Sequence, residues 1–181
     1  MFATMDLSDR LVDGVTLAIG VRNSIDKSLP LGFMAGSRVG CCENLAFRSD
    51  LMVAQKHSRL GMERFAEAIS LAVQSLDTFQ KEESTRIEDL QEKALTDETA
   101  ESIMLRAFES GIVTRLLPDV IREWRKPSFP EFLPRTAWSL LNAFTTVLGA
   151  RAMSNPEKHA ANTIKLGAMF NAVHRRRRDP R

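Results

Sequence analysis

Residues 22–47 read RNSIDKSLPLGFMAGSRVGCCENLAF, and this stretch decides the fold of the N-terminal part of the chain. With the aliphatic run VTLAIGV at residues 15–21, it predicts two strands joined by a turn around Asp26 and Pro30. The second strand carries a glycine at every fourth position, namely Gly32, Gly36 and Gly40. Glycine within a strand usually marks a bulge or a close approach of two backbones. Because an isolated hairpin is marginally stable in water, we expect this one to pair with further strands or to pack on a helix.

The remainder of the chain shows the residue spacing of helices. Apolar residues three, four and seven positions apart over residues 52–93 predict one long helix, broken near residues 82–85. Four further helices have their own start or stop signals: residues 96–110 (Thr96, Gly111), 118–124 (Pro118), 136–153, and 156–173 (Asn155, Pro156). The predicted fold class is α+β, with a small N-terminal antiparallel β-hairpin or sheet packed against a bundle of four or five helices. We expect one domain over residues 1–173 and a basic C-terminal tail over residues 174–181.

The composition is typical of a globular protein without membrane-spanning segments. The chain has 181 residues, of which 44% are hydrophobic and 27% are charged, and its formal net charge is +2 at pH 7. The first ten residues lack the apolar region of a signal peptide, and no apolar run reaches the roughly 20 residues that span a bilayer. The two cysteines, Cys41 and Cys42, are adjacent, which argues against a disulfide framework. We therefore predict a cytoplasmic protein in a reducing compartment, with no membrane partner.

Basic residues in and after the hairpin form the leading candidate for a binding surface. The candidate nucleic-acid-binding residues are Arg22, Asn23, Lys27 and Arg38 on the hairpin, with Lys56, His57 and Arg59 after it. Arg48 and Arg64 add charge nearby. If the hairpin packs on the start of the long helix, these cations form one groove that binds phosphates, and Phe33 and Phe47 offer stacking faces for unpaired bases. In the alternative interpretation, Arg22 and Arg38 pair internally with Asp26, Glu43 or Asp50, and both rings fill the core.

Charge is unevenly distributed along the chain, between an acidic segment and a basic C-terminal end. The C-terminal end is an arginine cluster made of Arg175, Arg176, Arg177 and Arg178, followed by Arg181. Such a cluster is typical either of an anionic partner or of a solvated chain end, and the sequence leaves both open. Residues 77–109 are acidic by contrast, and there Glu82 and Glu83 are interpreted as part of a solvated helical face.

Patterns of catalytic and metal-binding residues are incomplete. Either cysteine could form a thiolate–imidazole pair with His57, although a buried, inert cysteine is the commoner arrangement. The soft ligands lack the paired spacing of a zinc site; they are Cys41, Cys42, His57, His159 and His174. No phosphate-binding glycine loop and no serine elbow is present. We predict no catalytic residues, no metal and no cofactor.

Two amides are predicted to have structural roles. Asn142 lies beside the apolar stripe of the helix that contains Trp138, where a partly buried amide must satisfy its hydrogen bonds. We interpret it as a link between this helix and the hairpin, rather than as a ligand contact. Asn44, at the turn after the second strand, is the second structural polar residue.

Three segments resemble a known family in their order and spacing. They are Arg22-Asn23-Ser24-x-Asp26 with Cys42-Glu43-Asn44, then Gln55-Lys56-His57, then Trp138-x-x-x-Asn142-Ala143-Phe144-Thr145. Over residues 13–173 they are similar to the phage- and plasmid-associated proteins classed as domain-of-unknown-function family 932. In that family a glycine usually follows the turn aspartate, whereas Lys27 follows Asp26 here, and longer members have another region before the Asn-Ser strand. The resemblance implies a mobile-element protein and supplies no catalytic residues.

Two functions from different classes remain open. The first is a non-enzymatic mobile-element protein that associates with single- or double-stranded DNA through the basic hairpin and helix surface. The alternative is a protein-interaction module that inhibits a host system or forms a homo-oligomer. The alternative predicts an exposed apolar face on the helix over residues 65–79.

Overall fold

Four antiparallel strands form a meander, in which each strand pairs with the next one along the chain. The computed structural model describes residues 2–24, 26, 30–42, 44–112, 115–149 and 156–175. The strands are β1 (Phe2–Val12), β2 (Val15–Arg22), β3 (Leu31–Val39) and β4 (Asn44–Gln55), in the sheet order β1-β2-β3-β4. The predicted hairpin corresponds to β2 and β3, and β1 and β4 extend it on either side.

Six helices follow the sheet in the described ranges, where four or five are predicted. They are α1 (Arg59–Gln74), α2 (Leu76–Glu92), α3 (Asp97–Glu109), α4 (Leu117–Arg125), α5 (Ala137–Gly149) and α6 (Pro156–Arg175). The prediction of one long helix is wrong in two respects: residues 52–55 belong to β4, and the helical stretch divides at Ser75. Local signals at α3 act as predicted, since the Thr96 hydroxyl caps its start and Gly111, with φ of 73°, follows its end. The α+β class is confirmed.

The strand register divides the sheet into two faces. The first face carries Val15, Leu17 and Ile19 of β2 opposite Val39, Ser37 and Ala35 of β3. Its apolar side chains join the main core together with Ile87 of α2 and Trp138 of α5. On the second face, Met34 and Phe47 pack against Ala160 of α6 in a smaller cluster. Helices therefore pack on both faces, and α6 packs against β4.

A bulge next to Gly36 bends β4 against β3. Met34 pairs with Met52 and Gly36 pairs with Phe47, so the register shifts between these two pairs. A β-carbon on Gly36 would lie 2.0 Å from the carbonyl oxygen of Ala46 and 2.8 Å from Phe47 Cα. The close backbone approach that the glycine pattern predicts therefore occurs at this position.

Candidate interaction surface

The two described cations of the hairpin are engaged with other groups of the chain. Arg22 Nε donates a hydrogen bond to the Pro30 carbonyl oxygen at 3.2 Å. Arg38 Nε lies 2.8 Å from Asp6 Oδ1, and Arg38 Nη2 donates to Thr4 Oγ1 at 3.1 Å. Arg38 therefore reaches across β2 to β1, where a carboxylate offsets its charge.

The candidate DNA-binding residues are spread over the sheet. Arg22 pairs with Gly32, which lies six positions along β3 from Arg38, a distance of about 20 Å at the rise of an extended strand. Lys56 follows the end of β4 that pairs with Leu31. Arg22 and Lys56 thus belong to one end of the sheet and Arg38 to the other. Asn23 is exposed beside Arg22.

The remaining candidates are basic residues outside the described part of the chain and two buried aromatic rings. Lys27 and the tail arginines lie outside the described residues, apart from Arg175, which ends α6. Phe33 and Phe47 are 5% and 0% exposed. The predicted stacking faces are therefore wrong, because both rings fill the core.

Two solvent-facing cations lie in the connection between β4 and α1. Lys56 is exposed, and Arg59 is 97% exposed, with its Nε 3.8 Å from Glu63 Oε1. His57 is half-buried between them, and its Nε2 has no hydrogen-bond partner among the described residues. The Ser58 hydroxyl caps α1 and so fixes the position of this corner.

A buried cluster of ion pairs joins β4 to α2. Arg48 Nη1 donates to Glu83 Oε2 at 2.8 Å, and Arg86 donates to the two oxygens of the same carboxylate at 2.8 and 2.6 Å. Asp50 pairs with Arg48 from the solvent side, and the Arg48 guanidinium lies 5.6 Å from the centre of the Phe79 ring. Glu83 is 0% exposed, so its interpretation as part of a solvated face is wrong.

The charges in this cluster hold one another ionised. Burial by itself would raise the pKa of Glu83, but Arg86 and Arg48 outweigh burial and keep that pKa below its ordinary value. Burial by itself would lower the pKa of Arg48, but the carboxylates of Glu83 and Asp50 outweigh burial and raise that pKa above its ordinary value. Two arginines face two carboxylates, so Arg48 is already neutralised and is a poor candidate for a phosphate contact.

The two structural amides meet between β4 and α5. Asn44 Nδ2 donates to Asn142 Oδ1 at 3.2 Å and to Thr146 Oγ1 at 2.9 Å. Asn142 Nδ2 in turn donates to the Trp138 carbonyl oxygen at 3.0 Å. A cavity of about 10 Å³ adjoins both amides, which is room for about one water molecule. This small polar junction ties the sheet to α5 and has no room for a substrate.

The cysteines and His57 lie at different ends of β4. Cys41 is exposed and Cys42 is half-buried in the turn before β4, whereas His57 follows its last residue. Burial is the main cause that raises the pKa of Cys42 to about 12, so this side chain is a neutral thiol at physiological pH. Within the described ranges, no group of three or more His, Cys, Asp or Glu residues could hold a metal ion. The geometry does not assemble a catalytic pair.

Helix α1 carries apolar side chains well beyond the stripe that it buries. The packed stripe consists of Gly61, Phe65, Ala68 and Ala72, which are buried or half-buried. The charged flank, defined as Leu60, Arg64, Glu67 and Leu71, is exposed throughout. The apolar flank, defined as Met62, Ala66, Ile69 and Val73, is exposed except for the half-buried Ile69. Leu71 and Met62 are 64% and 60% exposed, so large apolar groups face solvent on both sides of the helix.

This exposed surface is only partly the one that the sequence predicts. The prediction places an apolar face over residues 65–79, but Leu76 and Phe79 pack into the core. Leu71 and Val73 are exposed within that range, and Leu60 and Met62 extend the exposed apolar surface towards the start of α1. The sequence carries one signal for this exposed surface. The apolar residues of α1 cover a wider arc than the stripe of about 100° that a helix packed on one side needs.

Comparisons with known proteins do not place the chain in a family. No protein-family model, curated protein or solved structure matches it. The resemblance to domain-of-unknown-function family 932 therefore stays a prediction. Among the described residues, no helix combines the length and the apolar character that crossing a bilayer requires.

Proposed function

We propose that this chain is a non-enzymatic protein-interaction module whose working surface is α1. The supporting observation is the exposure of large apolar side chains on both flanks of this helix, led by Leu71 and Met62. Scattered single apolar residues are normal on a protein surface, whereas a contiguous set on one element marks an interaction site. A role in inhibiting a host system or in forming an oligomer fits such a surface.

Two described spaces in the structure do not have the usual form of a small-molecule site. The cavity next to Asn44 and Asn142 has the size of a single water molecule. A larger groove of about 420 Å³ is lined only by residues of α2, from Asp77 to Glu88, and it is open to solvent. Neither space has convergent polar groups around an apolar pocket, which is the usual form of a small-molecule site.

The proposal is tested by photo-crosslinking in living cells. A photoreactive amino acid replaces Met62 in one variant and Leu71 in another, and Glu98, exposed on α3, serves as the control position. We expect a covalent adduct of defined mass from the α1 positions, with the partner identified by mass spectrometry. Val73→Asp, which places a charge in the apolar flank, should remove the adduct formed at Met62. The absence of adducts from both α1 positions, or equal adducts from Glu98, would contradict the proposal.

DNA binding is a second candidate, and one observation favours it. Lys56 and Arg59 are exposed together at the start of α1, where the helix dipole adds positive potential. Arg38 does not belong to this set, because Asp6 already holds it. Such a surface would bind phosphates of single- or double-stranded DNA with steep salt dependence, and basic tail residues would add charge.

The DNA candidate predicts a salt-sensitive affinity for oligonucleotides. Replacing Lys56 and Arg59 together by alanine removes two phosphate contacts, so we expect an affinity loss of about ten-fold or more at low salt. The measurement is fluorescence anisotropy with labelled single- and double-stranded DNA. The control is Arg106→Ala, which removes an exposed cation from α3. Binding that does not respond to salt, or an equal loss in the control, would remove this candidate.

A further inference from the structure

We propose that two copies of this chain dimerise by antiparallel pairing of their α1 helices along the charged flank. This inference rests on the proposed function, because it names the partner of the same surface. It is carried by the order of residue types along the charged flank, which is self-complementary in one orientation only.

The charged flank has the spacing of a helix-pairing seam. Its members follow one another at intervals of four, three and four residues, which is the repeat of helices that pack side by side. At 100° per residue they fall within about 60° of one another around the helix. All four are exposed, so a second helix can reach them without any rearrangement of the sheet.

Reversal of the helix maps the charged flank onto itself with opposite charges in contact. In an antiparallel pair related by a two-fold axis, Leu60 lies against the partner's Leu71, and Arg64 lies against the partner's Glu67. The same contacts repeat on the other side of the axis, as an isologous interface requires. A parallel pair in register would instead bring Arg64 against the partner's Arg64. The two charges therefore select the antiparallel orientation.

The two charges have no other ion pair in the described part of the chain. The ion pair that α1 forms there joins Arg59 to Glu63 at 3.8 Å. Arg64 and Glu67 are three residues apart, a spacing at which an ion pair within the helix is sterically possible, but they do not form one within 4.0 Å. Both remain available for a contact between subunits.

The apolar flank does not encode an orientation in this way. It has no charge, and its Ile69 is half-buried against the core of its own subunit. A hydrophobic seam of this kind accepts either direction of a partner helix. The charged flank is therefore the surface whose charge order specifies its occupant, which is a second copy of the chain.

The size of the contact predicts a reversible dimer. A helix of 16 residues is about 24 Å long, and a single helix pair of that length lies at the low end of specific interface areas. We expect a dissociation constant in the micromolar range.

The test is a charge exchange read by sedimentation equilibrium. Arg64→Glu alone and Glu67→Arg alone each place like charges together twice per dimer, and we expect either to weaken the dimer about ten-fold or more. The double variant Arg64→Glu/Glu67→Arg restores opposite charges and should regain wild-type affinity. An equimolar mixture of the two single variants should form a heterodimer tighter than either homodimer. Glu98→Lys, which reverses an exposed charge on α3 and not on α1, is the control and should leave the affinity unchanged.

The possible results separate this inference from the proposed function. A wild-type chain that stays monomeric at millimolar concentration overturns the dimer, as does a double variant that remains as weak as the single variants. A dimer whose affinity stays unchanged in both single variants also overturns it. In each case, crosslinks from Leu71 or Met62 to a different protein would still support the proposed function as an interaction module. High salt should shrink the difference between single and double variants, because exposed charges are screened.

Discussion

Replacing Glu83 by alanine is expected to lower the free energy of unfolding by about 3–5 kcal/mol. The substitution removes the carboxylate that accepts hydrogen bonds from both Arg48 and Arg86. Arg86 is 3% exposed and cannot turn to solvent without breaking the packing around α2. The cost arises from a buried guanidinium left without its counter-charge, rather than from the loss of an attractive contact alone. Urea unfolding followed by circular dichroism measures the change.

The neighbouring glutamate provides the matched control. Glu82 precedes Glu83 on α2 but is exposed, so Glu82→Ala should leave the unfolding midpoint nearly unchanged. A second comparison replaces Arg48 and Arg86 by methionine and Glu83 by leucine in one variant. This apolar set leaves no buried charge without a partner, because Asp50, which loses Arg48, faces solvent, so the variant should be markedly more stable than Glu83→Ala. Equal effects of Glu83→Ala and Glu82→Ala would contradict the buried cluster.

Gly36→Ala is expected to destabilise the protein by about 3 kcal/mol or more, or to prevent folding. The added methyl group would meet the Ala46 carbonyl oxygen at 2.0 Å and Phe47 Cα at 2.8 Å. Both are backbone atoms of β4, which cannot move aside as a flexible side chain can. Relief requires a separation of β3 from β4 at the bulge. That separation would disturb the packing of Phe47 against α6.

Gly40→Ala is the control for the glycine prediction. Gly40 is exposed in the turn after β3, and a β-carbon there would meet the Gly14 carbonyl oxygen at 3.5 Å, an ordinary contact. We expect a change within about 1 kcal/mol. The readouts are the thermal midpoint and the yield of folded protein. Similar losses at both positions would contradict the prediction that the close backbone approach at Gly36 causes the loss of stability.

Local signals in the sequence predict the helix ends well and the sheet only in part. Thr96, Gly111 and Pro118 act through hydrogen bonds and backbone angles within a few residues, so their effect can be inferred from neighbouring residues alone. In the first strand only residues 4–8 alternate polar and apolar residues, and register shifts on both sides of Arg10 interrupt the pattern. The fourth strand could not be inferred from alternation, because the bulge between Phe47 and Met52 breaks it.

The carboxylates that pair with Arg48 and Arg38 could not be identified from the sequence. Arg48 and Glu83 are 35 positions apart, and only the packing of α2 against the sheet brings them together. A run of acids on a helix is usually solvated, so the burial of Glu83 depends on two arginines that no local pattern connects to it. The same holds for Arg38 and Asp6, which meet because β1 folds back beside β2. Predictions about free cations therefore fail wherever tertiary structure supplies a carboxylate.

The meander has a consequence for synthesis on the ribosome. All of its pairings join strands that are neighbours in sequence, so the sheet can assemble once Gln55 has emerged. The helix that contains Trp138 begins roughly 80 residues later, which is about 4–16 s at ordinary elongation rates. Until then Leu17 and Ile19 lack part of the core that buries them in the complete fold. The nascent chain is therefore the form of this protein that is most exposed to aggregation and most dependent on chaperones.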